Sequence, residues 1–100
     1  MNKNTLSLLG FAAKAGKLSY GFEASVTALK SGKANLAVIA EDISQKSCKE
    51  IIYFAKKNNI KHIILEGISI KEVSDAVGKK CGIVAVNDSG FADALIKQCL

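Results

Sequence analysis

Residues 14–42 read KAGKLSYGFEASVTALKSGKANLAVIAED, and this segment indicates the architecture of the whole chain. It contains a short amphipathic helix that begins after Gly21, followed by the nearly continuous apolar run 35–40 (NLAVIA). A short apolar run of this kind is typical of a β-strand that is covered on both faces. Amphipathic helices that alternate with such strands predict an α/β fold, because the helices bury both faces of the sheet.

The rest of the chain repeats this alternation. The sequence predicts a three-layer α/β/α sandwich around a central mixed sheet of about four strands. Strands are expected at 35–40, 61–65 and 83–87, with 18–20 as a candidate short edge strand. Helices are expected over about 4–15 up to Gly16, from Gly21 to a C-cap at Gly32, from Ser44 to Asn58 and Asn59, from a capping box at Ser69 and Glu72 to Gly78, and after Asp88 or Ser89.

Length and composition bound the class of protein. One hundred residues, of which 49% are hydrophobic and 23% charged, predict a single domain over 1–100. No apolar run approaches the roughly 18 residues that span a bilayer, and no signal-peptide pattern is present, so we expect a cytoplasmic protein without a membrane partner. The chain has an odd number of cysteines without a CxxC spacing: Cys48, Cys81 and Cys99. This pattern favours buried, reduced thiols over a metal site.

The positive charge is concentrated in the first third of the chain. The net charge is +5, and residues 1–33 carry five lysines against Glu23 alone. The remaining residues carry nine lysines against eight acids. This distribution is compatible with nucleic-acid binding, although basic domains without that function are also common. Because the chain has no arginine, its lysines would contact phosphates as point charges and would not read guanines in a bidentate manner.

Several patterns that resemble catalytic sites lack the residues that the chemistry needs. The run 10–18 (GFAAKAGKL) has five residues between its glycines instead of four, ends in leucine where a magnesium-binding hydroxyl is required, and follows a helix. Glu41 and Asp42 are adjacent at a strand end and are expected to point apart. His62 has no local serine or aspartate partner.

Cys81 follows two lysines, which predicts a lowered thiol pKa, but no general base accompanies it. We therefore predict no catalytic residue, no metal and no cofactor, and we do not expect an enzyme.

The second predicted helix carries the strongest binding pattern. Glu23, Thr27 and Lys30 recur at helical spacing on one face, with Ala24 beside them, and the predicted inner face is formed by Phe22, Val26 and Leu29. A glycine-opened helix start presents backbone N–H groups and a positive dipole end that suit an anion such as a phosphate. The other interpretation is a solvated helix face, whose acidic first turn and basic last turn simply complement the dipole.

Motifs along nearly the whole chain resemble those of the ribosomal protein L7Ae/L30e superfamily. The matching motifs are AGK at 15–17, the helix-opening Gly21, LKSGKANL at 29–36, IAED at 39–42, EVSDAVG at 72–78 and NDSGFADALI at 87–96. The opening helix and the DSGFA segment are most similar to the bacterial YlxQ-type branch. The resemblance implies an α/β/α fold that binds kink-turn RNA, with the second helix at tandem G·A pairs and a loop over a bulged base.

Carried over to this sequence, the resemblance implies a set of RNA contacts. Helix contacts fall on Gly21, Glu23, Ala24, Thr27 and Lys30, loop contacts on Glu66, Gly67, Ile68 and Ser69, and phosphate contacts on Lys14, Lys17 and Lys33. The implied partner is structured RNA, with ribosomal RNA as one candidate, and a ribosomal or other protein is a further candidate.

The chain departs from the superfamily at three of these positions. Where archaeal members have an Asn-Glu-x-x-Lys signature, this chain has Glu23, Ala24 and Thr27. A protein-interaction module that keeps the fold without specific kink-turn readout is therefore the alternative function.

Overall fold

The computed structural model of the protein describes residues 3–99. Its elements are α1 (Lys3–Lys14), β1 (Leu18–Tyr20), α2 (Phe22–Lys30), β2 (Leu36–Ala40), α3 (Gln45–Lys57), β3 (Lys61–Leu65), α4 (Ile70–Val77), β4 (Ile83–Val86) and α5 (Ser89–Cys99). This order confirms the predicted alternation, and the candidate edge strand is present as β1. Within the described range, no helix is both long enough and apolar enough to cross a membrane.

The four strands form one mixed sheet in the order β1-β4-β2-β3. β2 pairs in parallel with β3, whereas β4 is antiparallel to both β1 and β2. In the β1–β4 pair, Leu18 lies opposite Val86 and Tyr20 opposite Val84. β4 and β2 occupy the centre, and every residue in these two strands is buried.

Helices cover both faces of the sheet, and this confirms the predicted three-layer sandwich. α1, α4 and α5 pack on one face, and α2 and α3 pack on the other. Successive residues of β2 point to opposite sides: Leu36 and Val38 join the core under α1, α4 and α5, whereas Ala37 and Ile39 join the core under α2 and α3. A strand that serves two cores must be apolar on both faces, which explains the continuous run at 35–40.

Local sequence signals set most helix ends. The Ser44 hydroxyl accepts a hydrogen bond from the backbone N–H of Ser47 at 3.3 Å, which caps α3 as predicted. The predicted capping box of α4 is present, with Ser69 and Glu72 each accepting from the other's backbone N–H. Gly78 ends α4 in the left-handed conformation.

The C-terminus of α2 differs slightly from the prediction. The C-cap is Ser31, and Gly32 follows it in the left-handed conformation, with φ of 79°. The N–H of Lys33 donates to the carbonyl of Ala28 at 3.0 Å, which is the long bond of a Schellman motif. Glycine is required at the position after the cap, so the predicted cap was one residue too late.

The inner face of α2 includes the predicted residues but is centred on a different side of the helix. Its buried residues are Ser25, Ala28 and Leu29, while Phe22 and Val26 are half-buried and pack against the core shared with α3. The prediction followed the largest apolar side chains. Where α2 crosses the sheet, Ser25 and Ala28 fill the contact together with Leu29, and the larger Phe22 and Val26 lie at its margin.

The strands end at two opposite ends of the sheet, which we name for one residue each. The Gly21 end carries Gly21 after β1, residues 41–44 after β2, residues 66–69 after β3, and residues 78–82 before β4. Backbone hydrogen bonds join these segments: Gly21 N–H donates to Ile83 at 2.8 Å, and Glu41 N–H donates to Ile68 at 2.9 Å.

The Lys17 end lies at the other end of the strands. It carries Lys17 before β1, residues 33–35 before β2, Lys61 at the start of β3, and Asn87 after β4. The N–H of Asn87 donates to the carbonyl of Lys17 at 2.7 Å. Three residues of extended chain lie between Lys17 and Gly21, so the two ends are four residue steps apart, which is about 13 Å.

Candidate nucleic-acid interface

The N-terminus of α2 is open. Gly21 occupies the N-cap position with φ of 89° and ψ of 173°, and no side chain caps this end of the helix. Only glycine readily adopts this backbone conformation. The first N–H groups of a helix have no acceptor within the helix, and here no capping side chain supplies one. Together with the helix dipole, these groups form an end that favours an anion.

The N-termini of the next three helices are closed by side chains. Ser44 caps α3, the Ser69 and Glu72 capping box closes α4, and the Asp88 carboxylate accepts from the N–H of Phe91 at 2.9 Å in α5. Among α2 to α5, the open N-terminus is therefore particular to α2.

An exposed stripe extends from this open end along the outer face of α2. Glu23, Ala24, Thr27 and Lys30 are all exposed, as the helical spacing predicted. Because α2 has nine residues, the stripe is about 14 Å long and runs from the Gly21 end to the Lys17 end. At the far end, the Lys30 ammonium lies 4.9 Å from the centre of the Phe54 ring of α3.

The loop 66–69 shares the Gly21 end with the open helix but does not adjoin it. In the sheet, β4 and β2 lie between β1 and β3. The distance between β1 and β3 is therefore three strand spacings, or about 14 Å. Glu66 and Gly67 are exposed, and Gly67 has a positive φ of 74°. Ile68 is only 3% exposed and supports the loop from inside, while Ser69 caps α4.

The lysines that the resemblance assigns to phosphates lie away from the open helix end. Lys17 and Lys33 are exposed at the Lys17 end, where they extend the positive charge of Lys30. Lys14 is exposed on the opposite helical layer and lines a groove between α1 and α4, together with Asp75. The structure thus groups Lys17 and Lys33 with one end of the stripe and leaves Lys14 apart.

Two lysines that sequence analysis did not assign to RNA lie at the Gly21 end. Lys79 and Lys80 are exposed in the loop that precedes β4. The Lys79 ammonium lies 4.7 Å from the centre of the Tyr20 ring, one residue before Gly21. The signal in the sequence was a lysine pair shortly before a buried strand, but its proximity to α2 depends on the antiparallel pairing of β1 with β4.

One of the two acidic residues that follow β2 has a structural role. The Asp42 carboxylate accepts a hydrogen bond from the N–H of Ile70 at 2.7 Å and so adds a second cap to α4. Glu41 is exposed, and its backbone N–H donates to Ile68. Both lie at the Gly21 end, so exposed carboxylates accompany the lysines there.

The environments of His62 and Cys81 do not match those of catalytic groups. Burial lowers the pKa of His62, and the nearby charge of Lys56 adds to this effect. The predicted lowering of the Cys81 pKa is wrong: burial raises it, and a backbone hydrogen bond from Gly21 and the charge of Lys79 only partly oppose this. Desolvation of the thiolate is the largest of these effects, because burial in an apolar environment disfavours the charged form.

The three cysteines are free thiols, but the prediction that all are buried holds only for Cys81. Cys48 and Cys99 are half-buried, since each lies at the margin of a helix contact and not at its centre. Over the described residues 3–99, no group of three or more His, Cys, Asp or Glu side chains is placed to hold a metal ion.

Comparisons with known proteins point to one family. A family model described as "Ribosomal protein L7Ae/L30e/S12e/Gadd45 family" matches residues 3–96. The large ribosomal subunit protein eL30 of Eremothecium gossypii is 32% identical over 95 residues, which cover 93% of this chain and 90% of that protein. The RNA-binding protein YlxQ of Enterococcus faecium is 28% identical over 90 residues, covering 90% and 85%.

Two solved structures share the fold. A protein of unknown function from Bacillus halodurans C superposes with a TM-score of 0.89 at 27% identity and covers 96% of each chain. The Giardia lamblia 15.5kD RNA binding protein gives a TM-score of 0.82 at 13% identity, covering 99% of this chain and 90% of that one, and shows similarity of fold alone.

Proposed function

Because the chain belongs to the ribosomal protein L7Ae/L30e/S12e/Gadd45 family, we propose that it binds structured RNA without catalysing a reaction. The proposed target is a kink-turn or a related bent RNA, with ribosomal RNA as one candidate. The contacts are made by the open end and exposed stripe of α2 and by the loop 66–69. The proposal includes a cytoplasmic location and requires no cofactor.

One observation carries this proposal most strongly. The single helix end without a side-chain cap among α2 to α5 opens directly onto an exposed stripe that ends among lysines. A phosphate at the open end would accept from backbone N–H groups, and the strand could then follow α2 towards Lys30, Lys33 and Lys17. Relatives whose names describe ribosomal and RNA-binding proteins support the choice of RNA as the anion.

The distribution of charge favours binding in which phosphates position the RNA and polar groups read it. Lysines contact phosphates as point charges, while the Thr27 hydroxyl and the Glu23 carboxylate on the stripe can exchange hydrogen bonds with base edges. A carboxylate accepts from a base amino group but repels a phosphate. Glu23 is therefore expected to face a base, whereas the backbone of the same turn faces the phosphate.

A titration of labelled kink-turn RNA tests the proposal. The matched control is the same RNA with its tandem G·A pairs replaced by Watson–Crick pairs, at near-physiological salt. We expect submicromolar binding to the first RNA and binding at least about 10-fold weaker to the second, which is the loss that one or two base contacts produce. Equal affinities would contradict kink-turn readout, and no binding to either would contradict the RNA proposal itself.

Two double variants locate the phosphate contacts. Replacing Lys30 and Lys33 with alanine lowers the net charge by two and should reduce the slope of log K against log salt by about 1.5. Replacing Lys71 and Lys97, which are on α4 and α5, lowers the net charge equally and should change the slope little. Equal effects of the two variants would show that net charge, and not the α2 face, determines binding.

A second function is favoured by the identity of the stripe residues. Glu23, Ala24 and Thr27 are exposed where the superfamily signature has asparagine, glutamate and lysine. A protein-interaction module of the same fold would keep the α2 face while recognising a protein. RNA-free co-purification with one defined protein, lost on changing Thr27 to arginine, would support this alternative against the RNA proposal.

A further inference from the structure

A cluster of aromatic and lysine side chains joins α2 to α3 beside the exposed stripe and shares Lys30 with it. The Lys30 ammonium lies 4.9 Å from the centre of the Phe54 ring, and the Phe54 and Tyr53 rings meet edge to face with their centres 5.3 Å apart. The Lys57 ammonium lies 5.8 Å from the centre of the Tyr53 ring. Two rings and two ammonium groups thus form one connected surface, which we name the Tyr53 cluster.

Tyr53 is the exposed member of this cluster. Tyr53 is 58% exposed as a residue, whereas Phe54 is half-buried against the core under α2 and α3. An aromatic ring kept in water is a feature that core packing does not explain, because the neighbouring Phe54 already fills the space between the helices. The ring is therefore available to a ligand with a flat face.

The surroundings of Tyr53 are positively charged. α3 exposes Lys46, Lys49, Lys56 and Lys57, and Lys30 reaches the cluster from α2. Glu50, one turn before Tyr53 on α3, is the acidic residue of this helix. A flat apolar ring set among ammonium groups fits a ligand that combines aromatic faces with negative charge, and an unpaired RNA strand has this chemistry.

We propose that the Tyr53 cluster is a second RNA contact, which binds an unpaired strand leaving the structured element bound on α2. A base stacks on the Tyr53 ring, and Lys30 and Lys57 contact the phosphates on either side of it. When the base stacks, the Lys57 ammonium leaves its position over the Tyr53 ring and contacts a phosphate. This inference deepens the proposed function, since Lys30 belongs both to the α2 stripe and to the Tyr53 cluster.

Stacking of one base on an aromatic side chain is worth about 1–3 kcal/mol by alanine substitution, which corresponds to roughly 5- to 150-fold in affinity. The contact needs a ring and does not need the hydroxyl group. Replacement of Tyr53 by phenylalanine should therefore retain the effect, while replacement by leucine should remove it. Because Tyr53 is largely exposed, neither change should prevent folding.

The test compares a blunt kink-turn RNA with the same RNA carrying an unpaired five-nucleotide extension at its 5′ or its 3′ end. We expect one of the two extensions to raise the affinity of the unchanged protein and of Tyr53→Phe by about 10-fold. The same extension should add less than about 2-fold for Tyr53→Leu. An extension that adds nothing, or that adds equally to Tyr53→Leu, would overturn the proposal.

Tyrosine fluorescence gives an independent readout that does not depend on kink-turn binding. The chain has two tyrosines and no tryptophan, so in a Tyr20→Phe variant the emission comes from Tyr53 alone. An unpaired oligouridine should quench this emission on stacking, whereas Tyr20 emission in Tyr53→Phe should stay constant.

The two readouts separate failure of this inference from failure of the proposed function. Quenching by oligouridine without binding of the blunt kink-turn would contradict the proposed function and support the Tyr53 contact. Binding of the blunt kink-turn without quenching and without a gain from the extensions would support the proposed function and overturn the Tyr53 contact.

Discussion

The N-termini of α2 and α4 lie at the same end of the sheet but differ in how their backbone N–H groups are used. In α4, the Ser69 hydroxyl, the Glu72 carboxylate and the Asp42 carboxylate all accept hydrogen bonds at the helix start. In α2, Gly21 supplies no side chain, and no other residue caps the helix. One helix start is closed by the chain's own anions, and the other is left for an external one.

This difference shows why a helix N-terminus is informative only in its surroundings. Each helix has the same dipole and the same unpaired N–H groups at its start. What distinguishes α2 is that the chain supplies side-chain caps for α3, α4 and α5 but places glycine before α2. The predictions below either remove this difference or isolate its parts.

Changing Gly21 to alanine should have the largest effect. Its φ of 89° with ψ of 173° is a conformation that a side chain makes unfavourable by about 1–3 kcal/mol. We expect that loss in urea unfolding, together with weaker RNA binding as the helix start shifts. Gly78→Ala is the control, since Gly78 also has a positive φ of 79° but ends α4, which packs on the other face of the sheet. It should lower stability without affecting RNA binding, and equal binding losses would refute the assignment.

Changing Asp42 to alanine should open the start of α4. The loss of a 2.7 Å hydrogen bond from the Ile70 N–H to a carboxylate is expected to lower the free energy of unfolding by about 0.5–2 kcal/mol. Glu41→Ala is the control, because it removes the neighbouring carboxylate, which does not cap α4. Its free energy of unfolding should stay within about 0.5 kcal/mol of that of the unchanged protein. Thermal or urea unfolding of the two variants decides the matter, and equal losses would mean that Asp42 does not act as a cap.

Two serines should respond with opposite signs. Ser69→Ala removes a capping hydroxyl and should destabilise the protein by about 1 kcal/mol. Ser25 is fully buried in α2, and its hydroxyl oxygen has no hydrogen-bond partner among the described residues. Ser25→Ala should therefore stabilise the protein by about 1 kcal/mol. A destabilised Ser25→Ala variant, measured by urea unfolding, would show that this hydroxyl is paired after all.

Changing Glu23 to glutamine should have the smallest effect on stability. A negative side chain in the first turn of α2 interacts favourably with the helix dipole, so its neutralisation should lower stability by about 0.3–1 kcal/mol. Because Glu23 is expected to accept from a base amino group, the same change should weaken RNA binding, since a neutral amide oxygen is a weaker acceptor than a carboxylate. Asp93→Asn is the control, because it removes one exposed negative charge on α5, away from the proposed contacts, and it should leave RNA affinity unchanged. Stronger RNA binding of Glu23→Gln would mean that this carboxylate faces phosphates and does not read a base.

Most of the fold was predictable because its signals are local or periodic. The continuous apolar run at 35–40, the Ser69 and Glu72 capping box and the glycines that end helices each depend on residues close together in sequence. The shift of the inner face of α2 was not predictable. Ser25 and Ala28 face the sheet because the helix packs closely on β4, and this closeness is a property of the assembled layers.

The site was predictable only where it lies on one element. The stripe of Glu23, Thr27 and Lys30 follows from helical periodicity. The positions of Lys79 beside Tyr20 and of Lys30 beside Phe54 depend on strand order and on the packing of α2 against α3, which no local pattern encodes. The same limit explains the error for Cys81, whose pKa depends on burial more than on the adjacent lysines.

The most direct test of the account is the solvent-exchange rate of individual backbone amides, measured by NMR with and without kink-turn RNA. The amides of Phe22, Glu23 and Ala24 should exchange rapidly in the free protein and slow by at least about 10-fold when RNA occupies the open end of α2. The amides of Ile70 and Glu72 already donate to Asp42 and Ser69, and their rates should change little. Protection of the α4 amides without protection at α2, or protection at neither helix in an RNA complex that forms, would contradict the assignment of the open α2 N-terminus as the RNA contact.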